Sequence, residues 1–453
     1  MTTPENFNHS LPSGFTELLP GEKRLEQHLL GIIGGTYESY GFTPIETPAV
    51  ERLEVLQAKG HQGDNIIYSI SPMVPDSEND EPDRGLKFDQ TVPLAGYIAR
   101  HLNDLSFPFF RYQMDMVFRG ERAKDGRYRQ FRQCDIDVVG RGKLDFLYDA
   151  QMVAIITEIF EKVNIGDFLI RINNRKVLIG FFTAIGVAET LVKTCIKVVD
   201  ELDKIGADSV KSKLQQAGTT SAQASEIITF TNINGSVDEI LAQLQEKAIS
   251  LSNPAIFCEG ITELQTVISG VRSLMVPEHR FCLDLSIARG LGYYTGTVYE
   301  TTLLGYENLG SICSGGRYED LVGTFVGEKM PGVGISIGLT RLLYRLMKRE
   351  LLKPMSANPA QVMVFNLNPD LMGTYLSISQ QLRQSGINVL TAFGERKVGD
   401  QFKQAEKLGI PLCVLIGDRE LAAGTAEMKI LETGEKISVP LDCLTAELKQ
   451  RLA

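Results

Sequence analysis

The stretch FRGERAKDGRYRQFRQ, residues 118–133, holds six Lys or Arg in a chain whose formal net charge is −10. Arginine presents a planar fork of donors that pairs bidentately with phosphate or carboxylate. Arg119, Arg122, Arg127 and Arg129, with Lys124, could therefore face a polyanion from several sides. The chain then continues QCDIDVVG, where a two-residue period puts Gln133, Asp135 and Asp137 on one face and Cys134, Ile136 and Val138 on the other. Polar side chains on a strand that otherwise reads as core need partners, because burying them unsatisfied costs free energy. A small polar ligand beside a phosphate would supply those partners. On charge alone, the cluster suits a solvated hairpin tip equally well.

Two further segments carry chemistry-bearing residues. RGLGYYTG, residues 289–296, follows an apolar strand ending at Arg289 and combines three glycines with Tyr293 and Tyr294. Glycine allows close backbone approach, and a tyrosine hydroxyl gives directional bonds from an apolar body. GVGISIGLTRL places Arg341 just inside a helix after a glycine-dense strand. Its spacing is wrong for a dinucleotide-binding loop. The five histidines lie at no metal-ligand spacing from one another or from a cysteine, and the seven cysteines form no Cys-x-x-Cys pair. Reduced thiols are expected, without disulfide, structural zinc or other protein-held metal. Chemistry must rest on arginines, carboxylates, amides and tyrosines.

The elements that position these residues follow from periodicity. Residues 21–40 read as an amphipathic helix, and YGFTPIETPAV as an extended, proline-broken strand. Two strands around a polar turn are expected over 108–140, then a helix at 145–163 and a strand at 168–173. Residues 175–275 are mainly helical in pattern around a polar low-signal stretch, QQAGTTSAQAS. Strand signal returns at FCLDLSIAR, 281–289. Leu339, Leu342, Leu343, Leu346 and Met347 repeat at helical spacing. Residues 351–360, including KPMSANPA, have linker composition, and strand and helix alternate beyond them, as in a separate α/β domain. No apolar run approaches the ~18 residues that span a bilayer, so no membrane partner is expected and the expected location is cytoplasmic.

Taken in order, these segments resemble the class II aminoacyl-tRNA synthetases, and most closely the histidyl-tRNA synthetases, over nearly the whole chain. GFTPIETPAV resembles the first class II motif, with Pro48 as its dimer-interface proline. VFRGERAKDGRYRQFRQ resembles the second and GVGISIGLTRL the third, while ARGLGYYTGTVYE and FDQTVP are similar to segments specific to the histidyl enzymes. The resemblance implies an α+β catalytic domain built on an antiparallel sheet over 1–350, with the 175–275 helical insertion, and an α/β anticodon-binding domain over 361–453. It implies activation of histidine with ATP and Mg²⁺, transfer to tRNA(His), and a homodimer. Arg119 matches the arginine that holds the α-phosphate and the amino-acid carboxylate, Arg341 the one at the γ-phosphate, and Arg289 the one on the far side of the α-phosphate. Glu121, Arg127 and Phe131 match positions around ATP, Phe131 against adenine. Asp89, Thr91 and Gln133 match residues that bind the α-amino group of histidine. Asp137 and Tyr294, with Tyr293 beside it, match those at the imidazole.

The chemistry fits such residues. Attack of a carboxylate on an α-phosphate brings two anions together, so it demands cations and positioning rather than a general base. The sequence departs from the family pattern at Gly292, usually Asp, and at Thr340, usually Glu. Two rival readings are a catalytically silent, synthetase-like regulatory subunit of ATP phosphoribosyltransferase, which generally lacks the C-terminal domain, and an RNA-binding module without adenylation, which leaves Asp89, Gln133, Asp137 and Tyr294 without purpose.

Overall fold

Strands Phe109–Phe118 and Gln130–Val139 run ten residues each, the second buried without a break from Gln133 to Val139, and pair in register from Phe109↔Val139 to Phe118↔Gln130. This hairpin anchors the larger of two units in the computed structural model, which describes residues 9–57, 66–73, 82–123, 126–288, 294–319, 322–394 and 396–452. The larger unit runs to Thr16 and resumes at Leu29–Leu352; Glu17–His28 group instead with the chain from Lys353 onward.

The strands of the larger unit are β1 (Thr43–Pro44), β2 (Val50–Arg52), β3 (Ser69–Ile70), β4 (Arg84–Leu86), β5 (Phe109–Phe118), β6 (Gln130–Val139), β7 (Phe168–Asn174), β8 (Phe281–Leu283), β9 (Tyr294–Leu303), β10 (Cys313–Tyr318) and β11 (Gly332–Gly338). Eight form one sheet in the order β1-β5-β6-β11-β10-β9-β7-β8, and β2, β4 and β3 form a small second sheet. The central pairings are antiparallel; only the outer pairs β1–β5 and β7–β8 are parallel. YGFTPIETPAV is thus two short strands in different sheets, not one.

The helices of this unit begin with α1 (Pro20–Ser39), whose later turns belong here, α2 (Leu53–Leu56), α3 (Thr91–Arg100) and α4 (Leu147–Val163). Seven helices fill 175–275: α5 (Arg175–Ala184), α6 (Glu189–Val199), α7 (Leu202–Ile205), α8 (Ala207–Gln216), α9 (Ser221–Thr231), α10 (Val237–Ser250) and α11 (Ala255–Ser273). Their core stacks Phe181 on Phe230 with ring centroids 3.9 Å apart. The polar stretch QQAGTTSAQAS contains the start of α9: Thr220 and Gln223 form a reciprocal capping box that satisfies two otherwise orphaned backbone donors. The strand expected over 281–289 stops at Leu283. Asp284 Oδ1 accepts from Ser286 N at 2.9 Å, closing a side-chain turn, and Asn173 Nδ2 takes the Ile287 carbonyl at 2.9 Å. Helices α12 (Gly323–Val326) and α13 (Leu339–Lys348) complete the unit, with Leu339, Leu342, Leu343 and Leu346 on the buried face of α13.

The second unit carries β12 (Val362–Val364), β13 (Val389–Thr391), β14 (Leu412–Leu415), β15 (Thr425–Ile430) and β16 (Lys436–Pro440), ordered β13-β12-β14-β15-β16. The first three are parallel. Such strands need cover on both faces: Val362, Val364, Leu412 and Val414 pack into one core cluster, and Met363 and Cys413 into another.

Candidate functional site

Sheet geometry concentrates polar side chains on one face of β6. Gln133, Asp135 and Asp137 alternate with fully buried Cys134, Ile136 and Val138, as the period-2 pattern demands. Across the hairpin their register partners are Asp115, Gln113 and Arg111; on β11 they are Gly338, Ser336 and Gly334. A cleft of about 550 Å³ opens over this face, within the range of small-molecule sites. Of the residues expected at the site from sequence, Asp89, Thr91, Arg119, Glu121, Arg127, Phe131, Gln133, Asp137, Tyr294 and Arg341 all line it. Arg289, Tyr293, Gly292 and Lys124 lie outside the described residues.

The floor at Asp137 is elaborate. Asp137 forms an ion pair with fully buried Arg111 and accepts a hydrogen bond from the Tyr318 hydroxyl at 3.0 Å. Burial pushes the Tyr318 phenol well above its ordinary range, so it remains a donor. Glycines on β11 make room: a Cβ on Gly334 would lie 2.3 Å from Asp137 Oδ1, and one on Gly332 would lie 2.3 Å from Tyr318 Cζ. Burial raises the Asp137 carboxyl to about 6, against the opposing pull of Arg111 and the Tyr318 hydrogen bond. It raises Asp135 to about 7, opposed by Arg111 and Ser336 and reinforced by the negative charges of Asp137 and Asp89. Gln133 Nε2 donates to Ser336 Oγ at 2.7 Å. At the entrance to α3, Asp89 Oδ1 accepts from Val92 N at 3.1 Å, which fixes Asp89 and Thr91 beside the strand face.

Cations occupy the other end. Arg119 follows β5, its backbone N–H bonded to Arg129 O at 2.7 Å. Its Nε donates to Phe88 O at 3.0 Å, and its guanidinium stands 5.0 Å from the Phe131 ring centroid. Arg341 and Arg345, one turn apart on α13, both line the cleft, so their spacing sets two cations on one helix face. Arg127 and Arg122 line it from the turn. Arg129 does not belong to this group: its Nε binds Glu121 O and its Nη1 binds Ser13 O, each at 3.2 Å, so it holds the turn in place instead of facing a ligand. Thr340 accepts the Arg132 backbone N–H through Oγ1 at 2.8 Å and thereby fastens the start of α13 to β6.

Sequence reasoning gave no role to Arg111, Tyr318, Ser336 or Arg345. Ser336 and Gly334 alternate within GVGISIG, and Tyr318 alternates with Ser314 and Gly316 in CSGGRY. On the strands the available signal was period-2 phase; the β6–β11 register sets Ser336 opposite Asp135, and the Tyr318 hydroxyl reaches Asp137 from β10, which does not pair with β6.

An antiparallel sheet on which the β5–β6 hairpin and the β11–α13 corner converge upon a single cleft is the class II aminoacyl-tRNA synthetase fold. The family profile "Histidyl-tRNA synthetase" matches residues 14–342, and "Anticodon binding domain" matches residues 361–451. A histidine–tRNA ligase of Nostoc sp. (strain PCC 7120) is 62% identical over 461 residues, covering 100% of both chains. One from Xanthomonas oryzae pv. oryzae is 44% identical over 454 residues and 96% of each. The crystal structure of histidyl-tRNA synthetase from Nostoc sp. PCC 7120 superposes with a TM-score of 0.92 at 61% identity, over 98% of this chain and 100% of that one. This chain belongs to the histidyl-tRNA synthetase family. A Bacillus halodurans structure described as an ATP phosphoribosyltransferase regulatory subunit/histidyl-tRNA synthetase shares the fold, with a TM-score of 0.73 at 17% identity over 88% of this chain and 97% of that one.

Proposed function

We propose that this chain joins histidine to tRNA(His) in two steps within the cleft. A histidine carboxylate oxygen attacks the α-phosphorus of ATP, the bond from that phosphorus to the bridging oxygen breaks, and pyrophosphate leaves. The terminal ribose hydroxyl of tRNA then attacks the adenylate's carbonyl carbon and AMP departs. The regulatory-subunit reading falls away, because relatives that match over the full length, C-terminal domain included, are histidine–tRNA ligases.

The observation that carries the assignment of roles is the convergence of ten residues, chosen from separated motifs, on one cleft that gathers arginines from the hairpin turn and α13 beside the aspartates of β6. Arg119, and Arg289 with it, would offset the repulsion between carboxylate and α-phosphate, with Arg341 at the γ-phosphate. Glu121, Arg127 and Phe131 would surround the nucleotide. Asp89, Thr91 and Gln133 would hold the α-ammonium, and Asp137, Tyr294 and Tyr293 the imidazole. Recognition built on hydrogen bonds to both ring nitrogens can reject analogues lacking them by roughly 10⁴–10⁵. Mg²⁺ would enter with ATP, since it commonly takes phosphate oxygens and water as ligands.

The domain reading follows the same lines. Residues 1–350, with the 175–275 insertion, would form the catalytic domain; 351–360 the linker; and 361–453 the anticodon-binding domain. The first motif around Pro48 supports a homodimer, which sedimentation would test. Among the described residues no helix is long and apolar enough to cross a membrane; the cytoplasmic assignment rests on where ATP and tRNA meet in protein synthesis. The deciding experiment is ATP–pyrophosphate exchange with each of the twenty amino acids. Exchange with histidine alone, lost in Arg119→Ala and needing far more histidine but not ATP in Asp137→Ala, is expected. Full exchange in Arg119→Ala would refute the site.

A further inference from the structure

Asp135 sits between two residues proposed above to contact histidine, and neither the family motifs nor the mechanism gives it a task. It is 3% exposed and lines the cleft, and its alternation with Gln133 and Asp137 directs it to their face. Ser336, its register partner on β11, already accepts the Gln133 amide N–H through Oγ. A hydroxyl has one proton to give, and a bond from Ser336 serves one Asp135 oxygen. Asp135 Oδ1 and Gln133 Oε1 have no hydrogen-bond partner among the described residues. Two acceptors, on residues whose backbones stand about 7 Å apart along one strand face, are left for a donor from the cleft.

Charge narrows the donor's identity. Asp135 feels the carboxylates of Asp89 and Asp137 and one guanidinium, that of Arg111. With Gln113 and Ser336 as its uncharged cross-strand neighbours, the pocket floor is formally negative. A neutral imidazole has a single N–H and no charge to bring, and it would be engaged by Asp137 further along the strand. An α-ammonium brings one positive charge and three N–H donors to acceptors on the Gln133 side.

We propose that Asp135 is a further substrate-binding residue, whose carboxylate accepts a hydrogen bond from the α-ammonium of the amino acid and balances its charge. This rests on the reading that the cleft holds histidine. Burial raises the Asp135 carboxyl to about 7, and a neighbouring ammonium would favour its ionised form.

The test compares two ligands on the full chain by calorimetry: L-histidine, and 3-(imidazol-4-yl)propanoate, which keeps the ring and the carboxylate and lacks only the ammonium. Asp135→Asn keeps the shape and removes the charge; Asp135→Ser is the second variant should the first not fold. A charge-assisted hydrogen bond lost corresponds to about tenfold to a hundredfold in affinity. Histidine should weaken by that factor, while the propanoate changes less than about threefold. Equal weakening of both ligands would mark Asp135 as structural and overturn the proposal, as would no change in either or a loss confined to the propanoate. If the unmodified chain binds no histidine, the reading of the cleft itself fails, an outcome separable from any difference between the variants.

Discussion

Arg111 and Asp137 are register partners across the β5–β6 hairpin, and their side chains form an ion pair in which the arginine is fully buried and the aspartate nearly so. Desolvating two charges costs more than an isolated pair returns unless further hydrogen bonds satisfy them. Asp137 has the Tyr318 hydroxyl, but Arg111 Nε and Nη1 have no hydrogen-bond partner among the described residues. The pair is therefore poorly explained by stability and better explained by the need for an oriented carboxylate at the base of a ligand site. Arg111→Met should destabilise the fold by about 3–5 kcal/mol, because it leaves Asp137 and Asp135 buried without a counter-charge. Arg111→Met combined with Asp137→Leu should recover much of that loss in denaturant unfolding, at the expense of histidine binding. A single Arg111→Met variant as stable as the parent would contradict this account.

The same aspartate constrains β11. A methyl at Gly334 would meet Asp137 Oδ1 and Ile136 O at 2.3 Å, whereas one at Gly338, four residues on, meets nothing within 4 Å. Gly334→Ala should cost about 1–3 kcal/mol through overpacking and raise the histidine KM in pyrophosphate exchange by displacing the carboxylate. Gly338→Ala should leave stability within about 0.5 kcal/mol. Matching behaviour of the two variants would show that the crowding at Gly334 relaxes without consequence.

These two cases show what was legible in the sequence. The period-2 face of β6 and the helical stripe of α13 could be read directly, because each depends only on residues adjacent in the chain. Asp135 was visible on the correct face, but its neighbours Ser336 and Arg111 come from strands 201 and 24 residues away, and no local pattern fixes register between such segments. The FCLDLSIAR reading overran because Asp284 can bond its own backbone, a competition that strand propensity does not capture. Arg129 looked the same as Arg119 in composition, and only the contacts to Glu121 and Ser13 separate a brace from a ligand-facing cation.

Arg175 supplies a prediction of another kind. Its Nη2 donates to Ala288 O at 2.9 Å and its Nη1 to Tyr294 O at 3.0 Å, so one guanidinium at the start of α5 holds the carbonyls on either side of residues 289–293. That sequence carries Arg289 and Tyr293. Arg175→Lys keeps the charge but presents a single ammonium where a fork spanned two acceptors. It should lower kcat for histidine-dependent exchange by about tenfold or more, since small misplacements of reacting groups cost up to about 10²-fold, with little change in Tm or in KM for ATP. Exchange at the parental rate in both Arg175→Lys and Arg175→Ala would show that the two carbonyl bonds do not position the site.

The raised carboxyls of the cleft give stability a definite pH dependence. Asp135 is raised to about 7 and Asp137 to about 6, from an ordinary value of 3.8, burial being the main cause. Between about pH 4 and 7 the folded chain therefore holds protons at these positions that the unfolded chain has released. Stability rises with pH only where the unfolded state binds more protons; here the folded state does, so this contribution falls as pH rises from about 4 to 7 and is flat on either side. Below pH 4 both states are protonated and nothing is lost; above 7 the full cost of two ionised buried carboxylates is present, on the order of a few kcal/mol shared by the coupled pair. Many other groups titrate over the same range, so the quantity to measure is the difference in unfolding free energy between the parent and Asp135→Asn, whose amide cannot ionise. That difference should move against the parent steadily between pH 4 and 7. A difference independent of pH, or one that moves in the parent's favour, would mean that Asp135 is not held protonated by its surroundings.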